Sequence, residues 1–195
     1  MISGGSEILG VTYSEAKRLA YKPKPRVSDQ VCPITFDQSD LLDVTGPHHD
    51  GLVVTMVIGS VKTHRILIDG GSSVNIIWLY TLKDMGIGQE HVTHKAAVLV
   101  GFSGETKTTI GEIYLTTHAE GVNSYERYSV LDCPSPYNVL LGRPWIHNVK
   151  AIPSTYHQCV KLPSEWGVIT IKGEQRQALS CYQTAMKSSR QAPQS

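Results

Sequence analysis

The chain has 195 residues, with 18 Lys plus Arg against 17 Asp plus Glu and a formal net charge of +1. That balance excludes a nucleic-acid coat or a polybasic membrane binder, both of which need a clustered positive field. With 41% apolar and 18% charged residues the chain can bury a core, so it is not wholly disordered, and its length suits one domain with tails.

Residues 1–46 read as an N-terminal linker or tail. Gly4-Gly5 breaks structure, Ser14 suits the cap of a short helix over EAKRLA, and Lys22-Pro23-Lys24-Pro25-Arg26 is extended because alternating prolines forbid a helix. Asp37–Asp43 is acidic and turn-rich. The start of the chain lacks a basic segment followed by an apolar one, so no secretory signal is expected. No run reaches the roughly 20 apolar residues of a membrane span.

From His48 onward the texture changes. Leu52–Ile58 is a β-branched strand, Gly59-Ser60 a tight turn and Val61–Asp69 a second strand, together a hairpin. The spacing of apolar residues predicts a helix over Val74–Met85, ended by Gly86 at C′. Strands are predicted at Val92–Val100, Thr106–Thr117, Tyr125–Leu131, Tyr137–Leu141, Tyr156–Leu162 and Gly167–Lys172, with a turn at Phe102–Glu105. Pro144 belongs in the first turn of a short helix, RPWIHNV, and Glu174–Lys187 is helical in character. Many short strands and little helix predict an all-β closed barrel over 47–172, with one or two short helices and flexible terminal extensions, and a helical or linker tail over 173–195.

Four cysteines stand at 32, 133, 159 and 181, with no CxxC spacing. Neither a zinc ribbon nor a disulfide scaffold follows; four reduced thiols in a cytosolic setting are expected. His91 and His94 are spaced HxxH without the glutamate of a metalloprotease helix, and His48-His49-Asp50 is no stronger, so no metal and no cofactor are expected. There is no GxSxG elbow, P-loop or GxGxxG. A Cys133–His147 dyad has no supporting context, Trp78 suits a core, and scattered basic and aromatic residues offer no stacking platform for nucleic acid.

The sharpest segment is Ile66-Leu67-Ile68-Asp69-Gly70-Gly71-Ser72-Ser73. A carboxylate follows three apolar residues at a strand end. The glycines let the backbone turn and aim N–H groups at it, and two hydroxyls can add hydrogen bonds, which would fix an acid for proton transfer. A plain strand-ending Asp-Gly turn is the other reading of the same residues.

In context the segment resembles the retropepsins, the retroviral and retrotransposon aspartic proteases. Asp69-Gly70-Gly71-Ser72 is similar to their Asp-Thr/Ser-Gly-Ala/Ser signature. Val100-Gly101-Phe102-Ser103-Gly104 stands where a flap tip would be, and Asn138–Arg143 (NVLLGR), followed by Trp145-Ile146, is similar to the apolar-Gly-Arg motif and its helix. PHHDGLVVTMVI, RILIDGGSSVNII and the stretches from CPSPYNVLLGRPWIHN to GVITIKGEQRQALSCY look like plant gypsy-type LTR retrotransposon polyproteins, over about 46–185. The resemblance implies one catalytic Asp69 per chain and a homodimer in which two Asp69 share a proton and activate water. Gly70, Gly71, Ser72 and Ser73 would form the supporting loop, and Gly101, Phe102, Ser103 and Gly104 the flap over an extended peptide. Leu141 and Gly142 would lie beneath the site, and Arg143 would make a structural ion pair. The implied substrate is the element's own polyprotein, of which this chain would be one piece. The implied location is the cytoplasm, virus-like particles included, with no nucleic-acid or membrane partner.

One residue departs from the pattern. Gly70 stands where the family carries Thr or Ser, whose hydroxyl bonds across the two-fold axis. The alternative reading is therefore a catalytically weak or inactive dimerisation or peptide-binding module of the same fold.

Overall fold

A computed structural model describes residues 32–101 and 103–191. The expected Ser14 helix, the 22–26 extended segment and Phe102 lie outside the described residues.

Strands β1 (Leu52–Ile58) and β2 (Val61–Ile68) form the hairpin predicted from sequence. Their register slips between Val54 and Met56, where Arg65 adopts φ 55°. This bulge changes which parity of β2 faces inward: Thr63 is buried before it, Ile66 and Ile68 after it. Strict alternation from Thr63 would have put Ile66 and Ile68 on the outer face.

The remaining barrel strands are β3 (Asn75–Trp78), β6 (Gly111–Ala119), β7 (Val122–Leu131) and β8 (Val139–Leu141). The barrel closes in the order β1-β2-β8-β3-β7-β6. β8 runs parallel to β2 and antiparallel to β3, so it lies between the strands that flank the Asp69 loop. The core includes Val54, Ile58, Ile66, Ile77, Tyr128, Val130, Leu141 and Trp145.

Several elements differ from their expected form. The predicted helix over Val74–Met85 begins as β3 and becomes helix α1 only at Leu79–Asp84. Ile76 and Ile77 are β-branched and pair with both β7 and β8, and that pairing outweighs the helical periodicity. Trp78 is core. Gly86 takes C′ with φ 75°, where its N–H reaches Lys83 O and that of Ile87 reaches Leu82 O, a Schellman closure. The predicted strand Val92–Val100 is strand only at β4 (Val98–Val100), and Thr106–Thr117 splits into β5 (Thr106–Thr108) and β6. The split occurs where the chain changes sheets: Thr109 N–H donates to Ala97 O, and Ile110 N–H to Val130 O on the barrel.

After β8, helix α2 (Arg143–Asn148) has Pro144 in its first turn. A three-stranded sheet follows, made of β9 (Ile152–Ser154), β10 (Cys159–Ser164) and β11 (Gly167–Lys172). β9 had no counterpart in the sequence reading, and residues 155–158 turn rather than extend β10. Helix α3 (Gln175–Gln191) packs on the barrel through Ala178 and Cys181. All four cysteines are free thiols, and burial pushes the Cys159 and Cys181 thiols up.

The acidic segment before the barrel is also anchored. Asp37 caps a 3-10 turn at Gln38–Leu41, and Asp40, 6% exposed, accepts a 2.8 Å bond from Lys161 Nζ on β10. The Lys161 bond, with the Asp37 N–H bond behind it, holds the Asp40 carboxyl below the ordinary 3.8. A carboxyl lowered on folding stabilises fully above its unfolded value and loses that contribution as pH falls through its folded value. Asp40→Asn is therefore expected to cost about 1–2 kcal/mol at neutral pH and to flatten the stability loss below roughly pH 4, as read by urea melts across pH.

Candidate active site

Asp69 continues the β2–β8 ladder by one bond, its N–H donating to Leu141 O at 2.9 Å. The chain then leaves β2 and turns: Ser72 N–H donates to Asp69 O at 3.2 Å, and Gly71 N–H to the Asp69 Oδ1 at 2.8 Å. The carboxylate is thus aimed by one backbone donor and remains partly open to solvent. Ser72 supports the loop rather than the acid. Its hydroxyl donates to Val74 O at 2.8 Å, the local bond that short hydroxyl side chains make readily in turns. Ser73 is exposed and makes no bond to Asp69 among the described residues.

Gly142 follows β8 beneath this loop. A Cβ there would collide with Val74 O and lie 2.8 Å from Ser72 O, so close backbone packing is what the residue supplies. Arg143 N–H donates to Ser72 O at 2.9 Å, and its guanidinium to Gly70 O at 3.2 Å and Gly71 O at 2.9 Å. The expected ion pair is replaced, within the chain, by a brace on loop carbonyls. These carbonyls are free to accept because the turn commits none of them to a ladder.

Below Gly142 lies a buried polar network that the motif reading missed. Asn75, 1% exposed, accepts the Gly142 N–H at 3.0 Å and donates to Arg127 O at 3.2 Å and Glu126 Oε2 at 3.4 Å. Glu126, 4% exposed, also accepts from Asn148 Nδ2 at 2.8 Å. The network ties β3, β7, β8 and α2 together under the Asp69 loop, and supplies partners to Asn75 and Glu126, which are buried away from water. The alternation of β7 signals it: Glu126 shares the inward parity of Ser124, Tyr128 and Val130.

The β4–β5 hairpin stands over the loop. Leu99 opposes Lys107 and Val100 opposes Thr106. Its tip closes by Gly101 N–H to Glu105 O at 2.8 Å and Gly104 N–H to Gly101 O at 3.0 Å, with Gly104 at φ 85°. Between hairpin and barrel lies a cleft of about 730 Å³ with Asp69, Gly71, Ser72 and Ser73 along one side and β4, Gly101, Glu105 and Lys107 along the other. Of the expected site residues the structure brings Asp69, Gly71, Ser72, Ser73 and Gly101 to one cleft, while Gly70, Ser103 and Gly104 do not line it; Leu141, Gly142 and Arg143 contact the loop from beneath. The histidines of the HxxH pair do not join it. His48 instead meets Tyr156 O at 3.2 Å and Asp50 at 3.7 Å. No cluster of three or more His, Cys, Asp or Glu side chains suited to a metal occurs among the described residues, and none of their helices is long and apolar enough to cross a membrane.

Neither a protein-family model nor a curated protein sequence matches the chain. Solved structures do. The retroviral protease-like domain of Ddi1 from Leishmania major is similar at TM-score 0.52 and 15% identity, covering 65% of this chain and 96% of that one. The EIAV protease in complex with the inhibitor HBY-793 is similar at TM-score 0.44 and 17% identity, over 57% of this chain and 99% of that one. The simian foamy virus (mac) protease is similar at TM-score 0.36 and 19% identity, over 52% and 99%. The first of these carries the assignment: a closed six-stranded barrel with a hairpin over the cleft at the end of β2 has the fold of a retroviral protease-like, or retropepsin-like, domain.

Proposed function

We propose that the chain is one half of an aspartic endopeptidase, completed by a second copy about a two-fold axis. The observation that carries this is the placement of Asp69 at the wall of a cleft roofed by a glycine-tipped hairpin. One chain supplies one such carboxylate. Two brought together share a proton, since adjacent carboxylates do not both ionise. The ionised Asp69 takes a proton from water, the water oxygen attacks the scissile carbonyl, and the protonated Asp69 donates to the carbonyl oxygen. Collapse of the gem-diol breaks the C–N bond as the amine takes up a proton. An extended peptide suits the cleft, lying strand-like along the hairpin. The substrate class is the polyprotein of the encoding retroelement, cleaved in the cytoplasm or in particles assembled there. The catalytic body is 47–172, with 1–46 and 173–195 as its flanks.

Gly70 favours the second reading, a dimerising or peptide-binding module with little catalysis. It is exposed, and a Cβ there would meet nothing within 4 Å, so a hydroxyl side chain has room. Cleavage of an unstructured peptide at mildly acidic pH, followed against protein concentration, tests the dimer. Specific activity is expected to rise with concentration, and Gly70→Thr to lower the half-maximal concentration by about thirty-fold, from two added hydrogen bonds of about 1 kcal/mol each across the axis. Concentration-independent activity, or no cleavage at any concentration, would overturn the reading.

A further inference from the structure

The walls of the cleft are mostly aliphatic: Ile76, Leu131 and Leu140 from the barrel face Leu99 of the hairpin. Among the described residues Lys107 is the one basic side chain of that lining. On an antiparallel hairpin directly opposed residues share a face, so Leu99 and Lys107 project together. Leu99 on that face is half-buried, while Lys107 is exposed and reaches the loop after β7. Lys107 Nζ lies 3.6 Å from Cys133 Sγ on the loop after β7, and Leu99 is less exposed than Val98 at 61% or Val100 at 69%.

Two carboxylates line the same cleft, Asp69 and Glu105. Glu105 is already committed. It accepts from the Ser103 hydroxyl, which holds its carboxyl below the usual range, and its oxygens fill the space a Cβ at Gly101 would need. Asp69 is held by the Gly71 N–H in the opposite wall. Among the described residues no carboxylate lies within ion-pair distance of Lys107. Its one described hydrogen-bond partner is the Cys133 sulfur, a weak acceptor. An ammonium beside an aliphatic wall, outside ion-pair distance of every described carboxylate and interacting with Glu105 only at longer range, complements a carboxylate on a short methylene stem.

We propose that Lys107 makes this cleft selective for peptides carrying an acidic side chain, Glu above all, at the one position that passes between the hairpin and the loop after β7. This rests on the peptide-cleft reading above and names its substrate class. Leu99 takes the methylenes of the glutamate and Lys107 its carboxylate. Glu is preferred to its neutral isostere Gln by about five-fold, the size of one partly exposed ion pair.

The test uses matched peptides that carry Glu or Gln at each position in turn. Cleavage is measured with the wild-type chain, and binding by fluorescence anisotropy with Asp69→Asn, which leaves peptides intact. A preference of about five-fold for Glu at a single position is expected in both measurements, shrinking in high salt. Lys107→Met should erase it, and Lys107→Glu should shift preference to a Lys-bearing peptide. Cleavage without a Lys107-dependent Glu preference overturns this proposal and leaves the endopeptidase standing. Binding with that preference but no cleavage supports the subsite and removes the endopeptidase. Peptides that neither bind nor are cleaved overturn both.

Discussion

Asp69→Asn is expected to lower peptide cleavage by about a thousand-fold or more, with the stability of the fold changed by less than about 0.5 kcal/mol. The amide keeps the size of the carboxylate and its oxygen still accepts the Gly71 N–H, the one bond the side chain makes among the described residues. What it loses is the ability to take up and give back a proton, and the dyad requires that of both copies. The side chain is partly solvent-open in the single chain, so no buried charge is removed. Paired measurements of cleavage and thermal unfolding separate the two effects. Equal cleavage by variant and wild type would end the aspartic mechanism. A variant that unfolds would mean that Asp69 holds the loop together, contrary to its single hydrogen bond.

Gly142→Ala is expected to destabilise the chain by about 3 kcal/mol and to abolish cleavage with it. The added methyl meets Val74 O and Ser72 O, two backbone atoms that cannot rotate away as a side chain could. Either the Asp69 loop lifts or β8 drops, and both movements strain the Arg143 bonds to Gly70 O and Gly71 O and the Asn75 bond to Gly142 N–H. Backbone conformation is not the cause, since Gly142 has φ −92°, open to any residue. Urea unfolding reads the loss directly. A substitution tolerated within about 0.5 kcal/mol would show that the loop yields without cost.

Much of this was legible in the residues. The β1–β2 hairpin, its turn, β11 and the C′ position of Gly86 fall where composition and turn chemistry put them, because each depends on neighbours close in sequence. The Asp-Gly-Gly segment was legible as a strand end carrying an acid; the resemblance to retropepsins implied a flap and a Gly-Arg support, of which Gly101 lines the cleft and Arg143 bonds to the Asp69 loop. The bonding of that support was not legible. Ser72 is drawn to Val74 O instead of the carboxylate, and Arg143 to loop carbonyls instead of an acid, because the nearest partner in space is set by how tightly the loop folds over Gly142.

The errors have a common physical source. β3 reads as helix because its three apolar residues, Ile76 to Trp78, fit either period, and only the ladder positions of β7 and β8 make it a strand. Lys107 looks like any exposed lysine on a hairpin until β5 is set against the loop after β7 and the other acids of the cleft are seen to be occupied. Asn75 and Glu126 stand 51 residues apart, and nothing local in either segment names the other.

By itself the sequence determined the local periods, the turns, the near-zero net charge and the presence of a single Asp-Gly-Gly segment. Those follow from residue type and spacing. The tertiary structure decided which strands close the barrel, that β8 is laid between the two strands leading into and out of the Asp69 loop, and that an acid, an aliphatic wall and the Lys107 ammonium share one cleft. These are long-range facts. They depend on satisfying strand edges and buried polar groups across the whole barrel at once, a constraint no short window of sequence contains.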